Sequence, residues 1–360
     1  SEHYFLSENY SKSAEYSKLA GRKAEKAASF NDAIAYAKKR VTSLERVIQT
    51  EDVEKQIIDS RTILGLYIAQ MNYFVDAKEA IDPIIELTIK RDYKRRLCHI
   101  YTILGTYYWS GEENYPEAFK AFEEALKISE EIKDIVSLAL ASSWFGYALG
   151  TNCEFERSIK YLQRAIDINV AAKNSWGIAI SKSNLAYFSH WYHGKIDLQF
   201  KTSKEGLQIA EESGDIYSKA IAYSSHGASC YGKGLLEEAE KYLLKGLEFC
   251  ERISFSAWDA ANQYHLGDTY FEMGYFQRSK EHFKKGIWAF ERNRLWPSWV
   301  GWGKVAIARS KVMNKEKEVD LESLYVHSRN NKIKGLEGWF RRYIGEILLN
   351  IDDQHLFEAE

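Results

Sequence analysis

Apolar, small and polar positions repeat along most of this chain with a spacing of 40 or 41 residues. Each repeat has one small residue at a fixed register position, usually preceded by a large apolar residue. These register residues are Gly65, Gly105, Gly146, Ala186, Gly227 and Gly267. A second amphipathic segment follows in each repeat, with small and bulky apolar residues at recurring positions. A period of this length with two helical segments is typical of an α-solenoid, in which each repeat packs on its neighbours.

The residues around each helical segment predict where the helices begin and end. Asp134, Asn174 and Asp215 each lie twelve residues before a register position, and these residue types are favoured at helix N-caps. The two repeats with an extra residue carry it between their helical segments, in the stretches GEENYPEA and WYHGKIDLQ. We therefore predict an all-α fold, a right-handed α-solenoid (superhelix) of antiparallel helix pairs.

The pattern divides the chain into three parts. In residues 1–51 the pattern predicts two amphipathic helices that lead into the array of repeats. Residues 52–293 contain six repeats of 40–41 residues. Residues 294–360 predict an irregular repeat and capping helices, with Pro297 in the first turn of a helix. A last helix is expected at 333–351, and the sequence leaves open whether it caps the array or begins a truncated repeat.

The repeats resemble the tetratricopeptide repeat, a helix-turn-helix unit with a large residue and Gly in its first helix and Ala-x3-Phe-x2-Ala in its second. The match is best in the repeat that contains Leu104, Gly105, Ala118, Phe122 and Ala125. The usual period of this family is about 34 residues, so the chain resembles its long-repeat type. The repeat around Ala186 is the least regular, which suggests a local change of curvature there.

The N-terminal segment is similar to the stretch that follows the ATPase module in bacterial STAND and adenylate-cyclase-like signalling proteins. In those proteins, helices patterned with Tyr and Ala lead into long tetratricopeptide repeats. The residues that carry this resemblance are Tyr10, Tyr16, Ala20, Phe30, Ala33 and Ala37. The chain also begins in helical pattern and without Met. The resemblance therefore implies that the chain is the C-terminal repeat region of such a protein.

Charge and composition narrow the classes of partner. Basic and acidic residues are mixed throughout, with a net charge of −2, so nucleic-acid binding is not expected. No apolar run approaches the roughly 20 residues of a membrane span, so membrane binding is not expected either. The four cysteines have neither zinc-ligand nor CxxC spacing, which favours a reducing, cytoplasmic compartment.

We find no catalytic or nucleotide-binding motif, such as a P-loop or a zinc-protease helix, and therefore expect the chain not to be an enzyme. His190 and His193 could share a helix face as metal ligands, with Asp197 four residues further on. Gly194, however, indicates a turn between His193 and Asp197. We expect no metal and no cofactor.

In tetratricopeptide proteins the first helices of the repeats line the concave face, which is where we expect a ligand. Offsets of −6, −3, +1 and +4 from each register residue place side chains on that face. Its aromatic residues, together with small hydroxyl-bearing ones, suit recognition of an extended peptide or a helix. The candidate ligand-binding residues are Trp109, Tyr147, Tyr187, His190, Tyr231, Tyr264, Asp268 and Phe271. The sequence leaves open whether they line a groove or fill it.

Three functions stay open. The first is a protein- or peptide-binding scaffold that serves as the sensor arm of a larger bacterial signalling protein of the ATPase or nucleotide-cyclase type. The second is a free-standing tetratricopeptide regulator that binds a short signalling peptide in its concave groove. The third and least favoured is an enzyme with an unrecognised groove site at Tyr187, His190 and Asp268. The sequence identifies neither the partner nor the oligomeric state.

Overall fold

A computed structural model of the chain describes residues 1–316 and 319–351, and its regular elements are helical. A π-helical turn spans Leu185–Trp191, and short 3-10 turns span Asp82–Ile84 and Lys334–Leu336. The helices are α1 (Glu2–Leu6), α2 (Tyr10–Lys26), α3 (Phe30–Glu45), α4 (Glu51–Gln70), α5 (Phe74–Ile81), α6 (Ile85–Lys90), α7 (Lys94–Ser110), α8 (Tyr115–Glu131), α9 (Ile135–Thr151), α10 (Phe155–Ala171), α11 (Ser175–Asn184), α12 (Ile196–Ser213), α13 (Ile216–Gly232), α14 (Leu236–Ile253), α15 (Ser256–Glu272), α16 (Phe276–Arg292), α17 (Pro297–Met313), α18 (Leu321–Arg329) and α19 (Glu337–Ile351).

Consecutive helices pack in pairs, including α7 with α8, α13 with α14 and α15 with α16. The predicted all-α, tetratricopeptide-like fold is confirmed. The chain forms two compact units, the first of Ser1–Ser110 and Tyr115–Phe145. The second consists of Gly111–Asn114 and the described residues from Gly146 onward. Among the described residues, no helix is both long enough and apolar enough to cross a membrane.

The register glycines are small because a bulky side chain of the next helix lies against their backbone. In the first unit, a Cβ added at Gly105 would lie 2.6 Å from the Phe122 ring. In the second unit, a Cβ added at Gly267 would lie 2.8 Å from the Phe283 ring. Such close approach lets the two helices of a repeat interlock, which is why the small and bulky positions recur together along the chain.

The predicted helix starts and turns are also confirmed. Asp134, Asn174 and Asp215 each accept a hydrogen bond from a backbone N–H three residues ahead. The extra residues lie in turns of four residues, at 111–114 and 192–195, whereas the corresponding turns at 152–154 and 233–235 have three. The irregular repeat around Ala186 contains the π-helical turn.

The two ends of the chain differ in part from expectation. The first predicted N-terminal helix is broken between α1 and α2, where Glu8 has a φ of 60° and the Asn9 side chain caps α2. Pro297 begins α17 as predicted, and the helix predicted at 333–351 is a 3-10 turn followed by α19. Residues 352–360 of the predicted C-terminal part lie outside the described residues.

Candidate functional site

The structure buries seven of the eight candidate ligand-binding residues and leaves Tyr231 half-buried. In the first unit, the Trp109 ring packs against Phe74 and Trp144, each with a centroid separation of 6.2 Å. In the second unit, the Tyr147 ring stacks on Phe188 with a centroid separation of 4.9 Å. These rings therefore pack against their neighbours in the core of each unit.

Two more of these residues form polar contacts inside the second unit. The Tyr187 hydroxyl lies 3.0 Å from His265 Nε2, and the Tyr264 hydroxyl donates to the Trp299 carbonyl at 2.8 Å. His190 is also buried, and burial is the main reason why its pKa falls to about 4. Its Nδ1 atom has no hydrogen-bond partner among the described residues.

Tyr231 and Asp268 are the candidate residues that reach a cavity in the second unit, which has a volume of about 460 Å³. We call it the aromatic cavity. Its walls come from the π-helical turn and from α13, α14, α15, α17 and α19. The lining residues are Trp191, Tyr231, Gly232, Gly234, Leu236, Asp268, Glu272, Trp299, Trp302, Trp339 and Arg342.

Four tryptophans form the apolar part of the aromatic cavity. The Trp339 ring of α19 lies 5.5 Å from the Trp191 ring and 5.8 Å from the Trp302 ring, measured between centroids. Trp299 and Trp302 stand edge to face at 5.3 Å, less than one helical turn apart on α17. The indole nitrogen of Trp302 is buried and has no hydrogen-bond partner among the described residues.

Asp268 places a buried carboxyl group on the wall of the aromatic cavity. Burial raises its pKa to about 7, although the Tyr343 hydroxyl and the positive charge of Arg309 act in the opposite direction. The Tyr343 hydroxyl donates to Asp268 Oδ1 at 2.5 Å. This carboxyl group therefore changes charge near neutral pH, in a cavity wall that also contains four tryptophans.

Two arginines and two glutamates connect the helices around this carboxyl group. The Arg309 guanidinium lies between the Phe271 ring, at 3.4 Å, and the Tyr343 ring, at 4.2 Å. It forms ion pairs with Glu272 of α15 and Glu346 of α19. Arg342 is more exposed and pairs with Glu346 at 2.8 Å and with Glu272 at 3.8 Å. The cavity is thus aromatic on its walls and carries both signs of charge at one side.

The residues considered for metal binding or catalysis contact different partners and do not form one cluster. The His193 ring stacks on Phe155 with a centroid separation of 4.5 Å, and Asp197 pairs with Lys233 at 2.6 Å. Tyr187 forms a hydrogen bond with His265, whereas Asp268 accepts one from Tyr343. Among the described residues, no three His, Cys, Asp or Glu side chains are placed to hold a metal ion.

Sequence reasoning missed most of the lining of the aromatic cavity. Trp299, Trp302, Trp339 and Arg342 belong to the irregular C-terminal part, outside the six regular repeats from which the candidate residues were taken. The spacing of the first two, three residues apart after Pro297, was the available signal, since it places both rings on one side of a helix.

Two family models match parts of the chain. The tetratricopeptide repeat model matches residues 260–287. The model for anaphase-promoting complex subunit 5 gives two overlapping matches, at residues 97–152 and 148–226. No curated protein sequence matches the chain.

Several solved structures are similar to the chain along nearly its whole length. A Rap protein complexed with competence and sporulation factor is 15% identical, with a TM-score of 0.63, and the alignment covers 98% of this chain and 100% of that one. The Rap conjugation gene regulator of plasmid pLS20, in complex with the Phr* peptide, is 16% identical with a TM-score of 0.62, covering 96% of this chain and 94% of that one.

A STAND protein with a tetratricopeptide repeat sensor, from Pyrococcus horikoshii, is 15% identical, and the alignment covers 91% of this chain and 52% of that one. Its TM-score of 0.47 is too low to support an argument. At these identities the similarities concern the fold.

Proposed function

We propose that this chain, an all-helical protein of tetratricopeptide repeats, is a regulator that binds a short peptide in its aromatic cavity. The observation that carries the proposal is a cavity of about 460 Å³ lined by four tryptophans and by Asp268, Glu272 and Arg342. Ligand pockets of proteins have this size and this combination of apolar walls with a few charged groups.

The lining suits a peptide better than a purely apolar small molecule. Trp, Tyr and Arg are the residues that most often dominate binding energy at protein and peptide interfaces. Peptides carry apolar side chains, charges and backbone carbonyls together. The tryptophan rings can pack against the side chains, and Glu272 and Arg342 can pair with charges.

Between the two scaffold functions left open by the sequence, the comparisons favour the peptide-binding regulator over the sensor arm of a larger signalling protein. The two Rap structures carry competence and sporulation factor and the Phr* peptide, and both align over almost all of this chain. Peptide binding by this chain is an inference from that shared fold together with the cavity.

The proposal is tested by selecting peptides from a random library on the full chain and measuring their affinity by fluorescence anisotropy. We expect Trp339→Ala to weaken binding by about 30-fold, because truncation of a central interface aromatic costs about 2 kcal/mol. Trp288→Ala is the matched control, since Trp288 lies 61% exposed on α16 and does not line the aromatic cavity.

A second variant separates loss of binding from loss of folding. Arg342→Gln removes a half-exposed charge of the lining and leaves the tryptophans and both ion pairs of Arg309 in place. We expect it to alter the preference among peptides of different charge while the melting temperature stays close to that of the wild type. If no peptide is selected, or if the selected peptides bind the Trp339 variant as tightly as the wild type, the proposed function is wrong.

A further inference from the structure

A second cavity, with a volume of about 440 Å³, lies in the second unit and shares no lining residue with the aromatic cavity. Its walls come from the end of α14, the turn that follows, the first half of α15 and the second half of α16. Acidic side chains line it from α14 and α15, and basic side chains line it from α16, so we call it the mixed-charge cavity. Its volume is in the range of small-molecule sites in proteins.

The acidic residues of the mixed-charge cavity are Glu251 and Asp259. Glu251 is exposed and forms no ion pair among the described residues. Asp259 is half-buried and accepts a hydrogen bond from Gln263 Nε2 at 3.4 Å, which is long for such a bond. Burial is the main reason why the pKa of Asp259 is raised, and the charge of Glu251 raises it further. The negative charge of Asp259 therefore lacks a strong partner within the chain.

The basic residues of the cavity are Lys284, Lys285 and Arg292, all exposed on α16. None of them forms an ion pair among the described residues, although the charge of Lys285 is near enough to lower the pKa of Asp259. The Arg292 guanidinium lies 5.0 Å from the ring centroid of Trp288, whose side chain is 61% exposed. The cavity thus offers both signs of charge and an aromatic surface, and its own charges do not pair with one another.

We propose that the mixed-charge cavity binds a small zwitterion, a molecule with one ammonium group and one carboxylate, as in an amino acid or a short peptide. The ammonium group pairs with Asp259 and Glu251, and the carboxylate pairs with Lys284 and Lys285. A ligand with charge of only one sign would be attracted by one set of residues and repelled by the other. An apolar side chain of the ligand packs against Trp288.

The test is isothermal titration calorimetry of the full chain with L-phenylalanine and with glycyl-L-phenylalanine at constant ionic strength. For each probe, the N-acetyl form lacks the ammonium charge and the C-terminal amide form lacks the carboxylate. We expect at least one zwitterion to bind, and each of its one-charge forms to bind roughly tenfold more weakly. Tighter binding of phenylalanine assigns a free amino acid, whereas tighter binding of the dipeptide, whose charges lie further apart, assigns a short peptide.

Two variants assign the two ends of the ligand. Asp259→Asn should weaken binding of the zwitterion and of the amide form by roughly tenfold, and should not weaken binding of the N-acetyl form. Lys285→Gln should weaken binding of the zwitterion and of the N-acetyl form by only about threefold, because Lys285 is exposed. A purely structural effect would weaken all forms alike. Lys201→Gln, at an exposed position of α12 outside the cavity, is the matched control and should bind like the wild type.

Two tryptophan variants distinguish this site from the aromatic cavity. Trp288→Ala should weaken binding of the zwitterion, whereas Trp339→Ala should leave it unchanged. This outcome does not depend on whether the aromatic cavity binds peptides. If Asp259→Asn does not fold, Glu251→Gln at an exposed position replaces it.

Three results would each overturn the proposal. The first is that neither zwitterion binds, and the second is that the one-charge forms bind as tightly as the zwitterion. The third is that Trp339→Ala abolishes binding while the variants of the mixed-charge cavity bind like the wild type.

Discussion

At the scale of single residues, pairs of small and bulky side chains determine how closely the helices of a repeat approach. Gly267 and Phe283 are such a pair, and any side chain at the glycine would lie within 3 Å of the ring. Phe283 is fully enclosed, so its ring has little freedom to move away. The contact that defines the repeat in the sequence is thus a steric one.

We expect Gly267→Ala to lower the free energy of unfolding by about 1–3 kcal/mol, because overpacking outweighs the better helix propensity of Ala. Gly338→Ala is the matched control on α19, since a Cβ added there meets no atom within 4 Å. It should leave stability unchanged or slightly higher. The stabilities of both variants are measured by urea unfolding, with circular dichroism as the signal. Equal unfolding midpoints for the two variants would contradict the steric explanation.

The buried carboxyl group of Asp268 predicts a pH dependence of stability. Because its pKa is raised from 3.8 to about 7 in the folded chain, the folded state holds a proton that the unfolded state releases. This contribution to stability is complete below about pH 4 and is lost as the pH rises through 7. Buried His190 and His265, with pKa values lowered to about 4 and about 3, act in the opposite direction as the pH falls below 6.5.

Comparing Asp268→Asn with the wild type separates the pH dependence of stability that Asp268 causes from the pH dependence that the histidines cause. We expect the difference in stability between the two proteins to change between pH 4 and pH 7, in favour of the variant at the higher pH, as measured by urea unfolding at several pH values. Glu322→Gln removes an exposed carboxylate as a control. A pH-independent difference for Asp268→Asn would show that this carboxyl group titrates normally.

At the scale of helices, the sequence predicted the regular repeats well and the cavity poorly. The caps of Asp134 and Asp215 and the four-residue turns followed from local residue preferences. The aromatic cavity instead depends on how α17 and α19 pack beside the repeats, and no local pattern specifies that packing. For the same reason the sequence could not distinguish exposed from buried aromatics at the predicted positions.

Arg309 is the residue through which α15, α17 and α19 are linked. Its guanidinium is nearly inaccessible and pairs with Glu272 and Glu346. We expect Arg309→Met to lower the free energy of unfolding by roughly 2–3 kcal/mol, at the low end for a buried pair because both glutamates are partly exposed. It should also make α19 more accessible to limited proteolysis.

Arg329→Met is the control for that experiment, because Arg329 forms an exposed ion pair with Glu322. Exposed ion pairs contribute little to stability, so we expect Arg329→Met to change the free energy of unfolding by no more than about 0.5 kcal/mol. If the two substitutions destabilise the chain equally, or if proteolysis of α19 is unchanged, Arg309 does not link the three helices.

At the scale of the whole molecule, repetition accounts for the fold, and the departures from repetition account for the proposed function. The resemblance to tetratricopeptide repeats followed from the 40–41 residue period and is confirmed by the structure. The aromatic cavity arises where the π-helical turn, α17 and α19 interrupt that regularity. Function could be narrowed to binding from the sequence, whereas the location of the cavity required the packing of residues far apart in the chain.

The most direct test of the central claim is a crystal structure of the full chain with a library-selected peptide. We predict peptide density in the aromatic cavity, with a side chain against Trp191 and Trp339 and a polar contact to Arg342 or Glu272. A peptide bound elsewhere, with the cavity empty, would contradict the claim that these residues form the binding site.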